Sequence, residues 1–599
     1  MIYHCEDHTC NYWDEGEKLP ERCPQCGRKL LRANEADMTG DDWTALGNTL
    51  WDAEASDKKR MVDCFRKAAY LGSAWGVCNL GICMEQGNGV EADPVQAFWL
   101  YQQAVEMGSL NAVCCLGVCY QYGIGTAPDA KQAAELYCKA AEYGSPRGQM
   151  LLARAFHDGI GVEADAAEAV HWVRAAAYQR YGEGMHRLGE CYAYGDGVEQ
   201  NWEHAVHWFR EAAESGVSVA MTDLGYCYEK GCGVEQSWEQ AFSWYRRGAE
   251  CGNLQSMHNL GCCYEKGRGV EQSWEQAFSW YRRSAECGNP VSMSNLGLCY
   301  KMGYGVEQNW QEAIKWYEQG AQCGDLQSMN NLAYCYERGE GVEQNEERAL
   351  YWYRRGAEAG SVYCMFYLGW NYSNGVGVKQ DMTEAIRWYT AAAEGGNAAA
   401  MHSLGWHYDH GEGVEQDMKK AICWYERAAE QNHPAAMNSL GECYAMGRGV
   451  PRDLETAMEW YRRAAELGEA MADYNMGWHL EQAGKLSEAY AHYRKAADGN
   501  DDSAWWALGR FYENGVVVAQ DGKEARRCYE TGEKLGSVKC KMRLARCKLL
   551  GIGGRREKKA GLDLCRQALE LAKESSEKED YGYEAEMNLL RRTIAENES

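Results

Sequence analysis

Apolar positions return at one fixed distance along most of this chain. Leu followed by Gly, or a close variant, begins at Leu80, Leu116, Leu152, Leu188, Leu224, Leu260, Leu296, Leu332, Leu368, Leu404, Leu440 and Met476, each 36 residues after the last. Weaker copies start at Leu46, Leu508 and Leu544. A period of this length marks an architecture in which each repeat is one supersecondary unit. In the copy NLQSMHNLGCCYEKGRGVEQSWEQAFSWYRRSAECG, residues Met257, Leu260, Gly261 and Tyr264 share one face of a helix. Gly267, Arg268 and Gly269 end it and turn the chain. Ser273 follows as an N-cap, with Gln276 completing a capping box; Asn309, Asp381, Asp417 and Asp453 hold the same place in other copies. A second helix runs through Ala277, Trp280 and Tyr281 to Ala285, and Gly288 closes it. Such a hairpin cannot bury its apolar face alone. Stacked copies can, which predicts an all-α solenoid of about fourteen or fifteen helix-turn-helix repeats over residues 40–550.

The second helix repeats Trp172, Trp208, Trp244, Trp280, Trp316, Trp352, Trp388, Trp424 and Trp460 in one phase. A large ring at fixed phase reads as the wedge between repeats. The anchor glycine lets helices approach closely, so a bulky residue at Gly261 should cost about 1–3 kcal/mol by overpacking. Cysteine recurs too. Cys83, Cys119, Cys191, Cys227, Cys263, Cys299, Cys335, Cys443 and Cys547 lie three after the anchor, while Cys251, Cys287 and Cys323 end the second helix. Both registers read as core packing; Cys262, adjacent to Cys263, points to another face and reads as exposed.

The blocks LG-x-x-Y, G-x-G-V and A-x-x-W-Y-x-x-A-A-E-x-G, here LGYCYEKGCGV from Leu224 and AFSWYRRGAE from Ala241, resemble the Sel-one-like repeat, a relative of the tetratricopeptide repeat. The resemblance implies a right-handed superhelix and an adaptor or scaffold that binds other proteins without catalysis. One secreted bacterial branch of that family pairs two cysteines in each repeat. This chain has residues such as Ala249 and Met257 at those positions, which removes support for secretion and for the penicillin-binding activity suggested for that branch.

Two Cys pairs precede the repeats. Cys5 and Cys10 are spaced C-x4-C, and Cys23 and Cys26 lie in C-P-Q-C-G. Two pairs in a short reduced segment predict a tetrahedral structural zinc site resembling a zinc ribbon, in a module of residues 1–36, with His4 or His8 as alternative ligands to a Cys. So small a segment lacks an apolar core, and the metal would stabilise it. At the other end the step from Met476 to Leu508 is shorter, AGKLSEAYAHYRKAA lacks the G-x-G loop, and the charged residues 551–599 read as a solubilising helical cap.

In tetratricopeptide arrays the inner groove is lined by first-helix positions that do not serve packing. Carried over through the shared anchor, these lie two and five before it and two, five and six after it. Here they hold Tyr226, Tyr334, Trp370, Trp406 and Trp478, and also Phe366, His402, His410, Tyr474 and Trp506. Aromatic clusters at such positions either bind a partner or pack between successive first helices. Asn259, Asn295, Asn331 and Asn475 stand just before the anchor, where peptide-binding relatives hydrogen-bond a peptide backbone. The two ladders point to a protein or peptide partner lying along the groove. The pairs Arg246–Arg247, Arg282–Arg283, Arg354–Arg355 and Arg462–Arg463 read as solvated ion pairs with acids one turn on, such as Glu250 and Glu286.

Charge and composition narrow the function. The 599 residues carry a net charge of −26, which argues against nucleic acid. No apolar run reaches the ~20 residues of a membrane span. MIYHCEDHTC has neither a basic nor an apolar leader region, so no export signal is expected. Most of the 28 cysteines recur at equivalent positions of neighbouring hairpins. Those lie roughly 10 Å apart, beyond the ~7 Å a disulfide spans. A reduced, cytoplasmic protein is expected. There is no HExxH, G-x-S-x-G or phosphate-binding G-x-x-x-x-G-K. His402 and His410 sit roughly 12 Å apart along one helix, too far to share a metal, and His407 takes the place of a core cysteine. The reading is a non-enzymatic scaffold. The alternative is a regulatory or sensor subunit whose zinc module contacts a catalytic partner or nucleic acid; residues 1–40 have no dense basic cluster, which disfavours the latter.

Overall fold

The computed structural model describes residues 2–5, 13–15, 30–33, 37–51, 55–578 and 584–598. The chain begins with three short antiparallel strands, Ile2–Cys5, Trp13–Glu15 and Leu30–Ala33, with Ile2–Cys5 central. From Gly40 onward the described residues form helices joined by turns. They divide into two compact units, residues 1–309 and residues 310–599. Each unit is a stack of helical hairpins with solenoid architecture, in which a second helix packs on the first helix of the next hairpin.

The repeat anchored at Leu260 shows how the sequence sets the hairpin. Its first helix, Leu254–Lys266, starts where the Asn253 side chain accepts the Ser256 amide, and ends at Gly267 in the left-handed region at φ 64°. Gln272 Nε2 donates to the Glu265 carbonyl at 2.8 Å, satisfying an end-of-helix acceptor. Gln236, Gln344 and Gln520 do the same for Glu229, Glu337 and Glu513. The second helix, Trp274–Glu286, is capped by the Ser273 hydroxyl, which accepts the Gln276 amide at 3.3 Å and donates to Glu275 at 3.1 Å. Gly269 has φ +70°, and a Cβ there would run into the Trp238 carbonyl at the start of the preceding second helix. The interhelix loop therefore docks on the previous hairpin, which is why G-x-G-V recurs.

The most deeply buried ring of most hairpins is the tyrosine one place after the tryptophan column, a correction to the expectation above. Tyr101, Tyr137, Tyr245, Tyr281, Tyr317, Tyr353, Tyr425 and Tyr461 are each at most 1 % exposed. The neighbouring tryptophans are half-buried apart from the buried Trp244, and Trp244, Trp280, Trp352 and Trp460 lie under the guanidinium groups of Arg247, Arg283, Arg355 and Arg463. The anchor glycine makes room for the tyrosine of its own hairpin: a Cβ on Gly261 would stand 2.6 Å from Tyr281 Cε1. The other arginine of two pairs meets its expected acid, Arg246 with Glu250 at 3.9 Å and Arg282 with Glu286 at 2.8 Å.

The cysteines three after the anchor are buried, and burial pushes Cys191 up to about 11 and Cys263 up to about 12. Cys251, Cys287 and Cys323 are exposed instead of core, because the helix cap lies past the last packed turn. Cys262 is half-buried: its Sγ lies 3.3 Å from the Tyr281 hydroxyl oxygen and 3.5 Å from His258 Nε2. His407 is core, as expected, with Nδ1 donating to the Glu412 carbonyl at 3.1 Å. The short-step repeat joins helices Ala470–Gln482 and Leu486–Asp498 through three residues, with the Lys485 amide closing on the Leu480 carbonyl at 2.9 Å. The last helix, Glu584–Glu598, is held by Glu586, which takes Arg543 in two hydrogen bonds of 2.7 Å.

Candidate functional site

The first-helix face of residues 310–599 carries most of the aromatic positions. Two after the anchor the rings reach solvent. Trp370 and Trp478 are each 38 % exposed. Trp406 is half-buried and stacks on His410 at 4.3 Å, while His410 Nδ1 donates to the Trp406 carbonyl at 2.9 Å. Tyr334 is half-buried with Arg338 at 5.8 Å from its ring.

Two before the anchor the rings turn toward the second-helix tyrosine of their own hairpin. Phe366 lies 5.9 Å from Tyr389, His402 lies 5.7 Å from Tyr425, and Tyr474 lies 5.6 Å from Tyr493. His402 also stacks on His433 at 5.2 Å and faces the Ser439 hydroxyl at 3.3 Å. Burial, helped by the nearby His433, brings its pKa down to about 4, so it is neutral at pH 7. Burial pushes Tyr474 up to about 12. Trp506 has two cations near its ring, Arg510 at 4.7 Å and Lys539 at 5.2 Å.

The asparagines are half-buried. Asn259 accepts from Gln255 at 2.9 Å and Asn331 from Gln327 at 3.0 Å, each one turn earlier on its own helix. Asn475 donates across to Asn438 at 3.0 Å and Glu442 at 3.2 Å. Asn259 and Asn295 belong to the unit of residues 1–309, and the aromatic positions above belong to the other.

What this face can do is present flat apolar rings bordered by amides and cations. Such a surface binds by contact area and hydrogen bonding. Sequence reasoning missed the carboxylates behind it. Five after the anchor, Glu265, Glu337 and Glu513 accept the hydroxyls of Tyr281, Tyr353 and Tyr529 at 2.5, 2.7 and 2.8 Å. The signal was a Glu recurring at one phase together with the tyrosine column.

Of the expected zinc ligands, Cys5 ends the strand Ile2–Cys5 and pairs in register with Leu30. Cys10, Cys23 and Cys26 lie outside the described residues. Among the described residues, no group of three or more His, Cys, Asp or Glu is placed to hold a metal, and no helix is long and apolar enough to cross a membrane.

The Sel1 repeat profile matches fourteen successive segments, from residues 76–109 to residues 538–573. A comparison with curated proteins returns no match. Among solved structures, a protective antigen present in uropathogenic Escherichia coli strains, displaying an SLR fold, is 32 % identical. That likeness spans 75 % of this chain and 97 % of the antigen, with a TM-score of 0.52. A Sel1 repeat protein from Oxalobacter formigenes is 26 % identical over 51 % of this chain and 89 % of its own, with a TM-score of 0.41. With the repeat profile covering most of its length, the chain belongs to the Sel1 repeat family.

Proposed function

We propose that this chain is a non-enzymatic scaffold that holds a protein or peptide partner on the first-helix face of residues 310–599. Sel1 repeat proteins generally mediate protein–protein interaction as scaffolds and are typically non-catalytic. The observation that carries the reading here is the exposure of Trp370 and Trp478 at 38 % each, at positions the hairpin core does not use. Trp406, fixed flat against His410, offers a third ring of the same register. Rigid aromatic rings give contact area at low entropic cost, which makes them the anchors of an interface. Trp370→Ala combined with Trp406→Ala should weaken capture of the native partner at least tenfold and leave the melting temperature within a few degrees. A protein that simply melts would place those rings in the core instead.

The zinc expectation stands as part of this proposal. Cys5 ends the strand Ile2–Cys5, and its partner strand Leu30–Ala33 starts four positions after Cys26 in the sequence, which supports this reading. Cys5, Cys10, Cys23 and Cys26 would hold the ion as four thiolates, a closed structural set that supplies stability and leaves no position for a substrate. Metal content near one zinc per chain, lost in Cys23→Ser plus Cys26→Ser, is the expected result. A metal-free native protein removes this element.

A further inference from the structure

One hairpin of the N-terminal unit lacks its wedge. Where most other repeats place a buried tyrosine, or a phenylalanine at Phe65 and Phe209, the repeat anchored at Leu152 has Val173, and Ala153 replaces the anchor glycine. No neighbour fills the space. A cavity of about 360 Å³ remains, floored by Met150, Ala153, Val170, Val173 and Cys191. The partly exposed His157 of the helix Pro146–Asp158 and Arg187 of the helix Gly182–Tyr194 also line it. An apolar cavity of about 150 Å³ already takes benzene.

The rim says what fits. Its polar groups are interleaved: His157 Nδ1 meets Asp158 at 2.7 Å, His157 Nε2 faces Asp196 at 3.4 Å, Arg187 pairs with Asp196 at 3.2 Å and Glu190 at 3.3 Å, and Glu183 accepts the Tyr181 hydroxyl at 3.2 Å. Arg154 pairs with Asp158 at 3.6 Å. With the carboxylates Asp158, Glu183 and Asp196 set against the guanidinium groups of Arg154 and Arg187, the lining disfavours an anionic ligand. His157 also stands five after the anchor. From that position Glu85, Gln121, Glu229 and Glu265 accept the hydroxyl of the buried tyrosine in their own repeats. The hairpin has lost the ring and kept a polar group where the ring's hydroxyl would end.

We propose that this cavity is a binding pocket for a phenol ring supplied from outside the chain, the side chain of a tyrosine on the bound protein or peptide. The tyrosine assignment rests on the scaffold reading above. The pocket itself rests only on the Ala153 and Val173 substitutions and on the rim.

The test uses the full chain and p-cresol, the tyrosine side-chain analogue, titrated by calorimetry or saturation-transfer NMR. Wild type should show one saturable site for p-cresol and bind toluene at least about threefold more weakly, the contribution of one hydrogen bond. Val173→Tyr should abolish that site by filling it. The repeat anchored at Leu332 already combines Ala333 with a buried Tyr353, so the single change has a precedent within the chain. Ala153→Gly plus Val173→Tyr is the second variant, which restores the spacing of the Gly261 and Tyr281 pair. Both should lose at least tenfold in p-cresol affinity and unfold at a higher temperature. Equal p-cresol binding by wild type and the folded double variant, or no saturable binding by wild type, overturns the pocket. Because p-cresol needs no peptide, that result is read independently of partner capture by the Trp370 and Trp406 variants, which lie in the other unit.

Discussion

Tyr281 offers the sharpest test of how the hairpins hold together. It is fully buried, its ring occupies the hole left by Gly261, and its hydroxyl donates to Glu265 at 2.5 Å. Truncating a buried aromatic to Ala costs about 3–5 kcal/mol; Val keeps two methyl groups, so Tyr281→Val should cost about 2–4 kcal/mol. Tyr281→Phe keeps the packing and strands a half-buried carboxylate, about 1–2 kcal/mol. Repeat arrays are coupled mainly to nearest neighbours, so the loss should be local. Hydrogen exchange reads it directly. At 1.4 kcal/mol per tenfold, amides of Leu254–Lys266 and Trp274–Glu286 should exchange roughly 30-fold to several hundredfold faster in Tyr281→Val. Helices such as Ala74–Gln86, five repeats earlier, should keep their rates. The matched control is Trp280→Val, which removes a half-buried ring one position away and should cost less. If Trp280→Val costs more, or if exchange rises evenly through the chain, the tyrosine is not the wedge and this account of the core is wrong.

Two further outcomes follow from burial. Brief alkylation of the native protein with iodoacetamide, followed by mass spectrometry, should label Cys251, Cys287 and Cys323 and leave Cys263, Cys299 and Cys335 unmodified until denaturant is added; labelling of the second group in native protein would contradict the packing. Acid should destabilise the C-terminal unit partly through His402. Its folded pKa of about 4 lies below the unfolded value near 6.5, so the unfolded chain binds the extra proton, and stability falls as pH drops from about 6.5 to 4. His402→Gln should flatten that part of a pH–stability curve measured by urea unfolding, and an unchanged slope would assign the loss elsewhere.

The sequence carried the period and the helix ends because each has a local cause. The Leu-Gly step, the left-handed turn at Gly267 and the cap at Ser273 are all set within a few residues. It carried less about which ring points inward. Trp280 and Tyr281 recur equally, and recurrence alone does not say which of two adjacent residues, about 100° apart around a helix, meets the core. That choice is made by the space over Gly261, a contact between two helices. Cys287 was misplaced because its position past the last core turn depends on where the helix stops. The cavity beside Val173 was visible as two breaks in one repeat, Gly to Ala at 153 and Tyr to Val at 173, and averaging the repeats hid the coincidence. For the surface, the sequence marked the aromatic positions. Only packing separates Trp370, which reaches solvent, from Phe366, which leans on Tyr389.

The scaffold reading is tested most directly by hydrogen exchange on the partner complex, captured from the native cell and purified. The account predicts slowed exchange in the first helices Val362–Asn374, Ala398–His410 and Ala470–Gln482, with the second helices Met382–Glu394 and Met418–Glu430 unchanged. Protection confined to the second helices, or to residues 1–36, would contradict it.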